Sequence, residues 1–243
     1  MSTGHAPSEA VATLARRIVR PGTVVTWLNH WSIQHADWEA LSRVHCIGVE
    51  GTLLQLLLRR AGYPLGRTSA DLVLPVFFRE VLPEGSTIAL IGAAPGVAEK
   101  AGARITGHHV RAWDGYGELA ALRSDPTELR EFAPDVVVLG LGAGLQDQVA
   151  VELHGLLPRA VICTAGGWID QYSRKEQYFP VWIHRLRLGW LWRILHEPRR
   201  LIGRYTVDAV RILREQSRYV GKLRRIGVEP TSSCLEVPHA DAQ

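Results

Sequence analysis

The sequence predicts an α/β fold: a Rossmann-like parallel sheet flanked by helices, with a basic helical appendage near the C-terminal end. Two strand–turn–helix patterns, at residues 86–103 and 134–155, are the clearest signals, and a third apolar strand at 160–170 again ends in glycines. Strands that alternate with helices indicate a parallel sheet covered on both faces. The continuous β-branched run at 136–138 is typical of a strand buried on both sides.

The first half of the chain alternates between helical and strand patterns. The predicted elements are, in order, a helix at 8–20, a strand at 24–29, a helix at 37–43, a strand at 44–49, a helix at 52–63 and a helix at 71–80. We therefore predict an α/β catalytic domain at 1–180, a basic amphipathic appendage at 181–228 and a flexible tail at 229–243.

Composition bounds the class of protein. The chain has 243 residues, of which 47% are hydrophobic and 21% charged, as is typical of a folded globular protein. No segment has the ~18–20 uninterrupted apolar residues of a membrane-spanning helix, and the start of the sequence lacks a signal-peptide pattern. A cytoplasmic location is therefore expected. The three cysteines lack CxxC spacing and the ten histidines lack HxxxH or HxH pairing, so no metal site is predicted.

Basic residues concentrate in the segment 174–225. This segment holds 14 of the 28 Lys and Arg with only four acidic residues, so its net charge is +10 against +4 for the chain. An apolar stripe at helical spacing runs through it, formed by Ile183, Leu186, Trp190 and Ile194. A solvated helix pair and an RNA-binding element are alternatives, but no recognised RNA-binding motif is present. Basic and aromatic residues together favour an amphipathic element at an anionic membrane surface rather than nucleic acid.

Polar residues and glycines follow several predicted strands. Ligands of open parallel sheets bind at the carboxyl ends of the strands. The residues at those ends are Asn29, Glu50, Gly92, 140–142 and 166–167. Glycine lets the backbone approach a ligand and leaves N–H groups for a phosphate, although a single glycine is also common in a tight turn. Together they favour a nucleotide or phosphate ligand, while the absence of GxGxxG with a following acid makes the NAD signal weak.

Glu50 is the candidate general base. It follows an apolar strand and precedes Gly51, so its carboxylate is expected at the ligand edge of the sheet. Alternatively, Glu50 is an N-cap partner of the helix that begins at Thr52, or a surface charge without a specific role. Asp114 and Asp170 are rival carboxylates on similar grounds.

Four motifs occur in a consistent order between residues 24 and 215. The most specific is WLWRILHEPRRLIGRY at 190–205, which is similar to EWLYRL-x-x-EPRRL-x-RY. GLGAGLQDQ at 140–148 is similar to GLGAPKQE, and TAGGWID at 164–170 is similar to GVGGxFD. ALIGAAPGVAEKA at 89–101 is similar to LLGGxPGVAEKA. These are motifs of the WecG/TagA/CpsF family of glycosyltransferases, which the chain resembles. Glu50 stands where that family carries its proposed catalytic Asp, Leu145 where it carries Lys, and Gly189 where it carries Glu. The departures indicate a divergent member.

The resemblance implies an inverting, metal-independent glycosyltransferase that moves a sugar from a UDP-sugar to a lipid-linked saccharide in cell-surface polysaccharide biosynthesis. It implies that no cofactor is needed and that the protein is cytoplasmic and peripheral at the inner face of the cell membrane. A homo-oligomer is compatible with the resemblance. The implied catalytic residues are Glu50, Asn29 and Thr26. The implied nucleotide-sugar contacts are Gly92, Gly140, Gly142, Gln146, Asp147, Gly167 and Asp170, and the leaving-group or membrane contacts are Arg193, Arg199 and Arg200. A non-catalytic nucleotide- or lipid-binding homologue and an NAD(P)-dependent oxidoreductase are the alternatives.

Overall fold

A mostly parallel sheet forms the centre of the molecule. The computed structural model describes residues 7–175, 189–196 and 198–238. Within them the strands are β1 (Val24–Leu28), β2 (Cys46–Val49), β3 (Thr87–Gly92), β4 (His109–Trp113), β5 (Val136–Gly140), β6 (Val161–Thr164), β7 (Glu229–Pro230) and β8 (Leu235–Glu236). They lie in the order β4-β3-β5-β6-β1-β2-β8-β7. Strands β1 to β6 are parallel, while β8 is antiparallel to both β2 and β7. The predicted parallel α/β sheet is confirmed.

Helices cover both faces of this sheet. They are α1 (Glu9–Ile18), α2 (Ser32–His35), α3 (Trp38–Leu41), α4 (Thr52–Arg60), α5 (Ala70–Val76), α6 (Val97–Gly102), α7 (Gly117–Ser124), α8 (Thr127–Phe132), α9 (Leu145–Leu156), α10 (Trp168–Arg174), α11 (Gly189–His196), α12 (Pro198–Arg214) and α13 (Gln216–Arg225). A π-helical turn at Phe77–Val81 continues α5. In none of the described stretches is a helix both long enough and apolar enough to span a bilayer.

The core has two layers, one on each face of the sheet. Successive residues of a strand alternate between them: Val137 belongs to one buried cluster, while Val136 and Val138 belong to the other. All three side chains are fully buried. This explains why β5 has apolar residues at every position instead of the apolar–polar alternation of a half-exposed strand.

The chain reverses its direction of winding between β3 and β5. From β3 it continues outward to the edge strand β4, whereas from β5 it continues to β6 on the other side. Gly92 and Gly140, the last residues of β3 and β5, are paired at this point. In doubly wound sheets such a switch point opens a crevice at the carboxyl ends of the strands, and ligands bind there.

The end of the chain differs from the sequence prediction. Residues 229–238 were expected in a flexible tail, but β8 pairs with β2 through Leu235 and Ile47, and β7 completes a hairpin. Cys234, Leu235 and Val237 are buried. Pairing with β2 and burial of these apolar side chains stabilise a segment too short to be recognised from its own sequence. The predicted domain boundary near 180 lies outside the described residues.

Candidate active site

A large cavity opens at the carboxyl ends of the parallel strands. Its volume is about 990 Å³, which is within the range of small-molecule sites. The turns that follow β1, β2, β5 and β6 line it, together with residues of α12. The structure therefore brings Asn29, Glu50, Gln146 and Asp170, which are far apart in sequence, to one site.

Glu50 lies at the β2 end of this cavity. Its Oε2 accepts a hydrogen bond from Asn29 Nδ2 at 3.4 Å, and its Oε1 accepts one from the Ala70 backbone N–H at 3.4 Å. The Ala70 N–H is the first of α5, so the positive end of that helix faces the carboxylate. Gly51, not Glu50, occupies the N-cap position of α4.

Asn29 connects Glu50 to the short helix α2. Its Oδ1 accepts hydrogen bonds from the backbone N–H groups of Trp31 and Ser32, both at 2.9 Å. Its own N–H donates to Ser32 Oγ at 2.7 Å. These bonds fix the amide orientation, which leaves Nδ2 to donate to Glu50. A carboxylate held in this way at the edge of a cavity has the chemistry and the position of a general base.

Glycines allow the strand ends to pack closely below the cavity. A Cβ atom added at Gly92 would lie 2.6 Å from the Gly140 carbonyl oxygen, and one at Gly140 would lie 2.8 Å from Ile169 Cδ1. Gly140, Gly142 and Gly167 line the cavity, whereas beside Gly92 the lining is formed by Ala93 and Ala94. Close packing thus brings the backbone of three turns to one surface.

Gln146 and Asp170 represent the two motifs that follow β5 and β6. The Gln146 side chain is buried, and its Oε1 accepts a hydrogen bond from the Gly166 N–H at 3.2 Å. Asp170 lies in the first turn of α10 and lines the cavity. The rival carboxylate Asp114 is buried outside the lining and accepts hydrogen bonds from the N–H groups of Tyr116 and Glu118. It stabilises a turn.

Thr26 and Asp147 lie beneath the cavity and do not line it. Thr26 is in the middle of β1, fully buried, and its Oγ1 is 2.6 Å from Thr164 Oγ1. Asp147 is 1% exposed, and its Oδ2 accepts hydrogen bonds from the N–H groups of Asp37 and Gly144. Burial raises the pKa of the Asp147 carboxyl to about 6, and the nearby Asp37 adds to this. The catalytic role predicted for Thr26 and the nucleotide-sugar contact predicted for Asp147 remain predictions.

Cations contribute to the lining. Arg67, Arg174 and Arg204 are the described arginines there. Arg67 Nε is buried, and no hydrogen-bond partner for it is found within the described ranges. The Arg204 guanidinium lies 3.9 Å from the centre of the Trp31 ring. Arg193, Arg199 and Arg200, the cations predicted from the sequence, have backbones in α11 and α12, but their side chains lie outside the described part.

The helix α12 is attached to the loop that follows β1. His30 Nε2 lies 3.0 Å from the Arg204 carbonyl oxygen, and Gln34 Nε2 donates to the Asp208 carbonyl at 3.0 Å. The His30 and Tyr205 rings are 5.0 Å apart. Sequence reasoning did not identify Arg67, Trp31 or Arg204. Arg204 could have been predicted as a site residue, because it is the arginine of the RY pair in the EPRRL-x-RY motif.

The fold and the cavity define a class: a doubly wound α/β protein whose site combines a carboxylate, glycine turns and arginines at the carboxyl ends of the parallel strands. The sequence profile described as the glycosyl transferase WecG/TagA/CpsF family matches residues 3–225. The chain belongs to this family and is a glycosyltransferase. The match favours this activity over the oxidoreductase and the non-catalytic alternatives.

Two curated relatives are similar to the chain. One is the UDP-Gal:alpha-D-GlcNAc-diphosphoundecaprenol beta-1,4-galactosyltransferase of Shigella boydii, which is 26% identical over 204 residues, 79% of this chain and 86% of the relative. The other is the N-acetylglucosaminyldiphosphoundecaprenol N-acetyl-beta-D-mannosaminyltransferase of Bacillus subtilis (strain 168). It is 34% identical over 65 residues, 27% of this chain and 25% of that relative.

Proposed function

We propose that this protein transfers a sugar from a UDP-sugar to a saccharide linked to a lipid diphosphate, by a single displacement that inverts the anomeric centre. The observation that carries the proposal is the position of Glu50, at the edge of a cavity that is also lined by glycine turns and arginines. The names of the two relatives support the acceptor class, since both act on diphosphoundecaprenol-linked sugars. The name of the first supports a UDP-linked donor.

In this reaction Glu50 is the base. The acceptor hydroxyl oxygen forms a bond to the anomeric carbon while the bond from that carbon to the diphosphate oxygen breaks. The hydroxyl proton passes to the Glu50 carboxylate, and UDP leaves with the bonding electron pair. Asn29 is a positioning residue, because its amide is held by α2 and donates to Glu50.

The leaving diphosphate requires positive charge or N–H donors. The glycine turns after β5 and β6, through Gly142 and Gly167, and the side chain of Arg67 line the same cavity and fit this role. Arg204 lines the cavity from α12 and supplies a second guanidinium. In this proposal these groups stabilise the leaving group without a metal ion. An assay with and without EDTA tests that part directly.

In this proposal the acceptor lipid lies on the apolar side of the cavity. Leu53 and Leu56 of α4 line the cavity on the side of Glu50, and Leu56 is 49% exposed. Exposed apolar side chains continue on α12, at Ile202, Val207, Val210 and Leu213. Exposed apolar residues on a strongly basic segment favour binding at an anionic bilayer. A peripheral position at the inner face of the membrane would bring the lipid-linked saccharide to Glu50.

The proposal is tested by a transfer assay that varies the donor. The purified chain is incubated with a panel of UDP-sugars and a short-chain lipid diphosphate saccharide, and products are identified by mass spectrometry. NMR of the product then gives the anomeric configuration. A product with inverted configuration supports the proposal. No product with any UDP-sugar would contradict the donor class, and retention would contradict the single displacement.

The role of Glu50 is tested by substitution in the same assay. Glu50→Gln keeps the shape of the side chain but removes the base, so kcat should fall by about 100- to 10,000-fold. Glu50→Asp keeps the carboxylate and should retain more activity than Glu50→Gln. Glu131→Gln, an exposed carboxylate outside the cavity lining, is the matched control. Full activity of Glu50→Gln, with an unchanged melting temperature, would refute the assignment.

A further inference from the structure

Trp31 lines the cavity but has no part in the proposed chemistry. Its ring contacts two side chains. The Arg204 guanidinium carbon lies 3.9 Å from the centre of the ring, and the His35 ring stacks on it with centroids 4.3 Å apart and planes inclined by 26°. Cation–π attraction acts within about 6 Å of the ring centre and is strongest for Trp. The Arg204 contact is therefore close enough to restrain the guanidinium.

Arg204 is also held through its backbone, by the residue next to Trp31. His30 is buried, and its Nε2 lies 3.0 Å from the Arg204 carbonyl oxygen. The neighbouring α12 side chains of Ile202 and Val207 are exposed, so solvent reaches this part of the helix. Without a contact at its end, an arginine side chain samples many rotamers. His30 and Trp31 thus act on two parts of Arg204, the backbone and the guanidinium.

Trp31 is itself fixed by the loop that orients Glu50. Its N–H donates to Asn29 Oδ1 at 2.9 Å, and its carbonyl oxygen accepts a hydrogen bond from His35 Nδ1 at 2.9 Å. Asn29 in turn donates to Glu50 at 3.4 Å. Direct contacts therefore lead from Glu50 through Asn29 and Trp31 to Arg204. The proposed base and one cation proposed for the leaving group are held by the same loop.

We propose that Trp31 is a positioning residue that holds the Arg204 guanidinium over the cavity, where it binds the diphosphate of the leaving UDP. This inference rests on the proposed function. At 3.9 Å from the ring centre, the guanidinium carbon lies over the face of the ring. A π face attracts the cation without neutralising its charge, and the N–H donors that project in the guanidinium plane are the groups that bind phosphate oxygens. A carboxylate in place of Trp31 would compete with the diphosphate for those donors.

Two other roles for Trp31 agree less well with these contacts. An anchor for α12 would contact the body of the helix, but His30 and Gln34 already bind its backbone carbonyls, while Trp31 contacts the end of one side chain. A stacking surface for a sugar would need the face that the Arg204 guanidinium covers. Both of these roles would persist without Arg204, whereas a positioning role would not. The dependence on Arg204 therefore separates them.

The test is a double-mutant cycle in the transfer assay. Trp31→Leu keeps an apolar side chain but removes the π face, so kcat should fall by about 2- to 30-fold, the range of a cation–π contact. Trp31→Phe keeps an aromatic face and should recover most of this loss. In an Arg204→Gln background, Trp31→Leu should change kcat by less than about 2-fold. Trp38→Leu is the matched control and should keep wild-type kcat, because the Trp38 ring lies 4.8 Å from Lys222 Nζ but outside the cavity lining.

Binding gives a second readout that a merely structural role would not produce. The affinities for UDP, inorganic diphosphate and uridine are measured by calorimetry. Trp31→Leu should weaken the binding of UDP and of diphosphate by about 2- to 30-fold, and only where Arg204 is present. The affinity for uridine, which has no phosphate, should not change. An equal loss for uridine would indicate a disrupted cavity and would overturn the positioning role.

The kinetic outcomes are distinct. Wild-type kcat of Trp31→Leu, or a loss of the same size with and without Arg204, would overturn the positioning role while leaving the proposed transfer intact. Wild-type kcat of Arg204→Gln would overturn it as well. If urea unfolding shows that Trp31→Leu does not fold, the cycle uses Trp31→Phe, whose weaker π face should lower kcat only where Arg204 is present. Absence of transfer by the wild-type chain would instead contradict the proposed function.

Discussion

Asp147 allows a prediction whose size follows from the structure. Its carboxyl is 1% exposed, and two backbone N–H groups bind Oδ2 at 3.2 Å, while Oδ1 has no hydrogen-bond partner among the described residues. Burial raises its pKa from 3.8 to about 6. The perturbation is Asp147→Asn, which keeps the shape and places a neutral amide beside the Thr26 hydroxyl.

The sign follows from the direction of the pKa shift. The folded state binds the proton more tightly than the unfolded state, so the unfolding free energy falls as pH rises from about 4 through 6 and is constant above. A shift of about two units corresponds to about 3 kcal/mol at pH 8, of which about 2 kcal/mol develops between pH 4.5 and pH 8. The Asn variant does not titrate and should not show this part of the decline.

The assay is urea unfolding of the wild type, Asp147→Asn and the exposed control Glu131→Gln at pH 4.5, 6 and 8. The difference in unfolding free energy between Asp147→Asn and the wild type should grow by about 2 kcal/mol over this range. Transfer activity at pH 7 should stay within a few-fold, because Asp147 does not line the cavity. Parallel pH profiles would refute the reasoning, and a large loss of activity would show that Asp147 contacts the substrate.

Two further predictions concern the sheet switch and the membrane. Gly92→Ala should lower the unfolding free energy by about 1–3 kcal/mol, because φ of Gly92 is 147° and the new Cβ would meet the Gly140 carbonyl. The control is Gly155→Ala in α9, where no atom lies within 4 Å of the added Cβ, and it should not destabilise the protein. An equal effect of the two substitutions in urea unfolding would contradict this. The double variant Val207→Ser/Val210→Ser should reduce co-sedimentation with anionic vesicles several-fold relative to the wild type, because both side chains are exposed. Equal binding of the wild type to anionic and neutral vesicles would count against the membrane contact.

The buried parallel strands could be predicted from the sequence, whereas the edge strands could not. The strands β1, β2, β3, β5 and β6 are apolar on both faces, so their composition alone distinguishes them. The edge strand β4 alternates between exposed and less exposed positions, and exposed Arg111 lies in its centre, paired with Glu128 at 2.8 Å. The strands β7 and β8 have two residues each and form only because β2 is available for pairing.

The site could be predicted in part, because the carboxyl ends of parallel strands meet at one edge. Asn29 and Glu50 follow from this rule, but their hydrogen bond depends on β1 and β2 being neighbours, which the sequence does not determine. Thr26 illustrates the limit. It is three residues before Asn29, in the middle of β1, and its side chain bonds Thr164 on the neighbouring strand instead of lining the cavity.

The C-terminal segment and Glu50, the proposed base, are connected through one short loop. Asn29 orients Glu50 and also binds the start of α2, while His30 and Gln34 bind backbone carbonyls of α12. A displacement of α12 would break the contacts of His30 and Gln34. His30 precedes α2 and Gln34 lies within it, and α2 is the helix that holds Asn29. Because α12 also carries the exposed apolar residues proposed to meet the bilayer, the proposed membrane contact and the orientation of Glu50 would be linked through this loop.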